Sequence, residues 1–405
     1  MHYVLLVRIA VIRETVPGEA RVALVPELVQ KLITAGYEVA VQSRAGAGAL
    51  IPDQAYTEAG ASITANPLEG AALVLSVQPL DPEIREVVRP GTGTISFYPY
   101  AASSPETQAR RAGQLTTFGM EYVPRISRAQ SMDALSSQAL VAGYRAAIVT
   151  AGRLRLFFPL NMTAAGTVPP AQVLVLGAGV AGLQAIATCK RLGAVVKGYD
   201  VRTAAAEEIR SMGAIAIDLD LPTLEGAGGY AREMTEDRAI RQRELLAPYV
   251  AAADALITTA AVPGRRAPML VTREMVEQMK PGSVVVDLAA ETGGNVEGSE
   301  PGEVVRIGNA QVWGGRNVPS QMPGPASRLY AQNIVNLVEL MTTKAQEADE
   351  ENEARPAAFA PDFDDEVVVG ACVTRDGSIV HDGTREAIEG ADPEPEPTPE
   401  GERRE

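Results

Sequence analysis

The sequence predicts an α/β protein of two doubly wound domains with parallel sheets, the first domain discontinuous, and a cleft between them. Three observations predict it. Short β-rich runs alternate with helical ones through most of the chain. A glycine-rich turn, "GAGVAG", stands between an apolar strand and a helix near the middle. The length, 405 residues, exceeds what a single core usually supports.

The elements follow in order. "VRIAVI" reads as the first strand; the N-terminal "MHYVLLVRIAVI" is interrupted by Arg8 and lacks a basic leader and a small-residue cleavage site, which argues against a signal peptide. Helical "PELVQKLITAGY", strand "EVAVQS", helical "DQAYTEAG" and strands "AALVLSV" and "GTISFY" come next, with Gly36 and Gly60 at helix ends where a left-handed cap is favoured. A helix-rich passage covers roughly 130–155. The second alternation contains "AQVLVLGAGVAGLQAIATCKRLGAVVKGYDVR" and the strand candidates "GAIAID", "ALITTA", "SVVVDLA" and "VVRIGN". A helical "SRLYAQNIVNLVELMTTKA" then leaves it and returns to the first domain, and "EVVVGACVTRDGSIVH" reads as a hairpin turning at Asp376–Gly377. These boundaries give a first domain of residues 1–130 plus 325–382 and a second of 131–324, with an acidic linker at 345–365 and an acidic, disordered tail at 383–405.

The net charge of −15 is local. Residues 347–366 and 386–405 hold seventeen Asp and Glu against three Arg, so the rest of the chain is close to neutral. No basic stripe exists to neutralise phosphates, which argues against a nucleic-acid partner. No apolar run reaches the ~18–20 residues of a membrane helix. With only Cys189 and Cys372, neither a disulfide framework nor a cysteine metal cluster is suggested, and a reducing cytoplasm fits best.

A bare GxGxxG is weak evidence, but this one has its setting. Gly177, Gly179 and Gly182 follow "VLVL" and open a helix with Val180 and Ala181. In a Rossmann-like unit the first glycine permits the tight turn, the second lets backbone approach a pyrophosphate, and the third lets helix and sheet pack closely. The helix N-terminus offers N–H groups and the positive end of its dipole. Asp200, eighteen residues past Gly182, ends the next strand, where a carboxylate accepts from ribose hydroxyls and repels a 2′-phosphate; this favours NAD(H). Val201 adjoins it, and Arg202 pulls the other way, since an arginine there can hold a 2′-phosphate. "EGAGGYAREM" places Gly226, Gly228 and Gly229 before Tyr230, either a plain surface loop or one whose aromatic closes over a nucleotide. "TTAAVPG", with Ala261 and Gly264, ends a strand at the ligand-binding edge of such a sheet.

What is missing also informs. A dehydrogenase acting on an alcohol or amino acid moves a proton with its hydride and commonly uses His or Lys. The two histidines are His2 and His381, at the extremities, and the five lysines (Lys31, Lys190, Lys197, Lys280, Lys344) suggest no substrate acid. A histidine metal site is argued against as well, and no metal is expected. Hydride passing directly between two nicotinamides needs no such group; it needs the ring oriented and water excluded. "PRISRAQSMDALSSQA" is rich in amide, hydroxyl and guanidinium groups, and Arg125, Gln130, Asp133 and Ser136 suit that task without acid–base chemistry. Spacing alone favours a polar interdomain hinge with a helix capped by Asp133 or Ser131.

"PRISRAQSMDALSSQALVAGYRA", the glycine-turn segment, "GGYAREM", "MKPGSVVVDLAAETGGN", "NVPS" and "VTRDGSIVH" together resemble the NAD(H)-binding domain I of proton-translocating transhydrogenases, within the alanine dehydrogenase/transhydrogenase superfamily. The resemblance runs from about residue 8 to 382. It implies a homodimeric component that holds NAD(H) and exchanges hydride with NADP(H) on a partner domain, docked on a proton-channel membrane subunit. It implies a cytoplasmic, peripheral location through those partners. By the same resemblance Arg125, Gln130 and Asp133 fall on the nicotinamide loop, Ser136 near the carboxamide, Asp200 on the ribose acid and Tyr230 on the mobile-loop tyrosine. Alanine dehydrogenase is the alternative. Its carboxylate-binding arginine falls on Arg21, but its lysine falls on Gln78, its histidine on Tyr100 and its aspartate on Glu291, which argues against amino-acid oxidation.

Overall fold

The computed structural model describes residues 7–98, 104–221, 235–262, 266–343 and 358–389. Two large sheets dominate. The first has eight strands in the order Ser378–Ile379, Cys372–Arg375, Thr116–Gly119, Gly93–Ser96, Ala71–Leu75, Val7–Val11, Tyr37–Gln42, Ser62–Thr64. Its six N-terminal strands are parallel, and the C-terminal hairpin adds antiparallel to Thr116–Gly119. The second has seven, in the order Ile215–Ala216, Val195–Tyr199, Gln172–Leu176, Ala255–Thr258, Val284–Asp287, Ala310–Gly314, Val304–Ile307, parallel except at the last.

Both sheets wind outward from a central strand in two directions. In the second, the direction reverses between Gln172–Leu176 and Ala255–Thr258, and crevices at such reversals are where doubly wound sheets take ligands. Strands buried on both faces explain the unbroken apolar runs "VLVL", "ALIT" and "VVVD". Gly36 and Gly60 close their helices at φ 96° and 98°, as the sequence suggests.

The helix Pro323–Leu340 buries Tyr330, Ile334, Val335, Leu337 and Val338 in the core under the first sheet, so the chain does return there. The helix Ala134–Arg153 packs on Pro323–Leu340 at one end and on Val180–Arg191 farther along. Gly143 permits that second contact: a Cβ there would stand 2.1 Å from the Ala181 carbonyl oxygen.

Three expectations are corrected. The "EVVVGA" half of the expected hairpin is the helix Glu366–Ala371, started by Asp365, whose carboxylate accepts the Val367 N–H at 2.7 Å, and held by burial of Val367, Val368 and Ala371. The turn itself is where expected, with Asp376 and Gly377 at φ 48° and 71°. The linker read at 345–365 is packed over its described residues: Ala358–Phe359 pairs with Thr342–Thr343, and Phe359 and Phe363 lie against Phe118. The tail read from residue 383 begins with a helix, Asp382–Glu389, whose Thr384 N–H donates to His381 Nδ1 at 3.1 Å. No helix among the described residues is long and apolar enough to cross a membrane.

Candidate functional site

The glycine turn emerges at the switch point of the second sheet. Gly177 takes φ 96°, and a Cβ on it would meet Thr259 Oγ1 at 2.6 Å. A Cβ on Gly182 would lie 1.9 Å from the Gly177 carbonyl oxygen, so this glycine lets the helix Val180–Arg191 sit on the strand. Gly179 differs. Its φ is −74°, and beyond its chain neighbours no atom of the described residues lies within 4 Å of where its Cβ would be. The described residues give no steric reason for glycine at this N-cap, and the helix N-terminus beside it offers backbone N–H groups that the helix itself does not use. Val180, beside it, is exposed, and no side chain caps the helix start.

Asp200 joins the turn to the next strand. Its Oδ2 accepts the Ala178 N–H at 2.7 Å, its Oδ1 accepts the Arg202 N–H at 2.9 Å, and the Arg202 guanidinium grips both oxygens. Val201 is partly buried against the core beside them.

Across the reversal, the strand end Thr258–Ala261 is pinned by two residues of "MKPGSVVVDLAAETGGN" that are not among the site residues the sequence suggests. Asn295, fully buried, accepts the Ala260 N–H at 3.0 Å and donates to the Ala260 and Pro268 carbonyls at 2.8 Å. Asp287, also fully buried, accepts from Thr258 Oγ1 and from the N–H groups of Ala289, Asn295 and Val296. Burial pushes its carboxyl up, and those donors pull it back. An acid ending the apolar run "VVVD" was the available signal. Ala261 is exposed beyond this brace.

The stretch from Arg125 to Ser136 forms a 3-10 turn over Ser127–Met132 and then the helix start. Asp133 is the cap: Oδ1 accepts the Ser136 N–H at 2.8 Å and Oδ2 its hydroxyl at 2.6 Å. Asn333 and Asn336 donate to the Ser131 carbonyl at 2.8 and 2.9 Å, tying the turn to the helix Pro323–Leu340. Arg125 and Gln130 are exposed. Ser136 stands seven residues before Gly143, which is about 10 Å along the axis and on the same face. The Gly143–Ala181 contact therefore places the polar stretch one short span from the glycine turn.

Three of the four positions matched to alanine dehydrogenase, Arg21, Gln78 and Glu291, are linked through Glu19 and Asn317. Buried Arg21 pairs with Glu19 at 2.7 Å and donates to Gln138 and Asn317. Gln78 Nε2 and Asn317 Nδ2 donate to Glu19 Oε2, and Glu291 Oε2 accepts the Asn317 N–H. The Arg21 guanidinium and these side-chain bonds hold the Glu19 carboxyl down at about 2 despite its burial. A cavity of about 190 Å³ beside it is lined by Arg13, Glu14, Glu19, Arg21 and Arg44, with no residue of the glycine turn among its walls. Lys31 pairs with Glu339 and Lys280 with Asp254, each at 2.8 Å, and Lys197 lies over the Tyr249 ring. The His381 ring lies tilted against Tyr122, with burial lowering its pKa. No group of metal-ligating side chains occurs among the described residues. Tyr100, Gly226, Gly228, Gly229, Tyr230 and Gly264 lie outside the described residues.

Two doubly wound sheets, with a GxGxxG turn at one reversal and an acid closing the following strand, define a Rossmann-like α/β protein of the dinucleotide-binding kind. The chain belongs to the alanine dehydrogenase/PNT family: residues 10–142 match its N-terminal domain and residues 146–382 its C-terminal domain. The first of the polypeptides that make up NAD(P) transhydrogenase subunit alpha of Rhodospirillum rubrum is 46% identical over 385 residues, covering 92% of this chain and 98% of its own. An alanine dehydrogenase of Mycolicibacterium smegmatis is 35% identical over 291 residues, covering 70% and 72%. The crystal structure of a transhydrogenase from Sinorhizobium meliloti superposes with a TM-score of 0.82 at 42% identity, covering 92% of this chain and all of that one. An L-alanine dehydrogenase structure shares the fold, with a TM-score of 0.75 at 23% identity.

Proposed function

We propose that the chain is the NAD(H)-binding subunit of a proton-translocating NAD(P) transhydrogenase. On this reading it is homodimeric, cytoplasmic and peripheral, and it works against an NADP(H)-binding subunit and a membrane subunit that carries the proton. Its two units are residues 1–130 with 325–382, and the NAD(H)-binding unit 131–324. The transhydrogenase relatives support it through identity over nearly the whole chain. The observation that carries it is the Gly143–Ala181 contact, which joins the glycine-turn helix to the helix that begins in a polar stretch without His or Lys, Ser136 standing about 10 Å along that helix from Gly143. Bound NAD(H) supplies the hydride chemistry, and the residues of this chain hold and aim it. Gly177–Gly182 and the helix N-terminus take the pyrophosphate, Asp200 the adenosine ribose, and Ala261 and Gly264 the backbone side of the pocket. Tyr230 and Gly229 close over it, and Arg125, Gln130, Asp133 and Ser136 fix the nicotinamide end.

Alanine dehydrogenation is the weaker reading, because Gln78 offers an amide where a lysine is needed and is itself bonded to Glu19. The deciding experiment mixes the purified chain, NADH and the NADP-binding partner carrying an oxidised NADP analogue, and follows single-turnover absorbance. Rapid transfer requiring both proteins is expected. Pyruvate- and ammonia-dependent NADH oxidation by the chain alone would support the dehydrogenase instead.

Gln130→Asn is expected to slow that transfer roughly tenfold to hundredfold, since it withdraws the amide by one methylene, while NADH affinity changes little. Transfer at the wild-type rate would remove the positioning role.

A further inference from the structure

We propose that Arg202 is a specificity-determining residue that competes with the adenosine ribose for Asp200, an inference that rests on the glycine turn being the NAD(H) site. A carboxylate offers about four lone-pair sites. All four on Asp200 are engaged: Oδ1 by the Arg202 backbone N–H and Nε, each at 2.9 Å, and Oδ2 by the Ala178 N–H at 2.7 Å and Arg202 Nη2 at 3.0 Å. Two of these bonds belong to the backbone of the turn and of the strand end, and they persist in any ligand state that keeps the fold. The other two come from one planar fork, which a rotation of the Arg202 side chain withdraws together.

A vicinal diol presents the same pattern, two O–H donors side by side. The adenosine ribose hydroxyls replace the guanidinium one for one, and the ion pair is broken in the exchange. The side chains are 22% and 9% exposed, so the guanidinium is the more solvent-accessible half of a partly buried pair. Arg202 thus lowers NADH affinity by the strength of the pair it must release. It also keeps Asp200 from presenting a bare negative charge to a 2′-phosphate. Lysine could supply the charge but not the two-pronged grip.

The test is titration of the full chain and its Arg202→Ala and Arg202→Lys variants with NADH, NADPH and reduced nicotinamide mononucleotide, which lacks the adenosine. Arg202→Ala is expected to tighten NADH about fivefold. It is expected to weaken NADPH further and to leave the mononucleotide unchanged, with Arg202→Lys between it and wild type. Weaker or unaltered NADH binding by Arg202→Ala would overturn the proposal, as would an equal shift for the mononucleotide, which would mark a general structural effect. Failure of the wild-type chain to bind NADH at all would instead remove the site itself.

Discussion

Gly179→Ala will leave the fold intact and weaken NADH binding at least ~100-fold, whereas Gly182→Ala will damage both. The two glycines sit three residues apart in one turn, and the structure gives them different reasons to be glycine. At Gly182 the reason is internal, a Cβ 1.9 Å from the Gly177 carbonyl oxygen and 3.0 Å from Thr259 Oγ1. Backbone cannot yield there without lifting the helix off the strand, so a loss of about 2–3 kcal/mol in unfolding free energy is expected. At Gly179 nothing among the described residues beyond its chain neighbours comes within 4 Å, and the φ of −74° suits any residue. Gly179 is the N-cap of that helix, where glycine is preferred to alanine, so the substitution should cost only about 1 kcal/mol. The methyl group would instead occupy the approach to the free N–H groups, and a loss of at least ~100-fold in NADH affinity is expected, close to 3 kcal/mol. Denaturant unfolding and NADH fluorescence titration on both variants separate the two effects. Wild-type NADH affinity in Gly179→Ala would mean that the turn does not face the pyrophosphate.

The turn was legible in the sequence because its parts are local. Strand, glycines, helix and Asp200 fall within about thirty residues, and each spacing has a steric reason. The Asp133 cap was legible likewise, since its partner is three residues away. The braces around the site were not. Asn295 acts on Ala260 from 35 residues away, and Glu19 meets Asn317 across 298. Such pairings are made by the tertiary fold, and one sequence carries no trace of them. "EVVVGA" failed for a different reason: three valines favour a strand, but Asp365 supplies an N-cap and the core accepts Val367 and Val368 only on one helical face. Arg21 shows the middle case. Its identity pointed to a carboxylate partner, and the structure supplies one from within the chain, Glu19, two residues away.

Stability will fall as pH rises from about 5 to 7, and replacing both Glu14 and Glu121 with glutamine will flatten that decline. Burial pushes each of the two carboxyls up to about 7, from 4.5 when unshielded. Both are tied to the loops at one edge of the first sheet: Glu14 accepts the Val77 and Gln78 N–H groups at 2.6 and 3.1 Å, and Glu121 accepts that of Tyr98 at 2.6 Å. These bonds favour the charged form, as does nearby Arg21 for Glu14, yet desolvation outweighs them. Below pH 4.5 folded and unfolded chains both hold these protons, and neither group adds a slope. Between 4.5 and 7 the unfolded chain has released them and the folded chain has not, so each unit of pH favours unfolding; above 7 the penalty is constant. The full shifts amount to roughly 3–4 kcal/mol per group, of which about 2–3 falls between pH 5 and 8. Glu19 runs the other way in a separate window, its stabilisation being lost only as pH drops from 4.5 toward about 2. Urea unfolding at pH 5, 6, 7 and 8 should therefore show the wild-type free energy dropping by several kcal/mol and the Glu14→Gln/Glu121→Gln chain holding nearly level. The slope is the reading that matters, because glutamine turns an amide donor toward an N–H and shifts every pH equally. Parallel curves for the two proteins would place the titrating groups elsewhere.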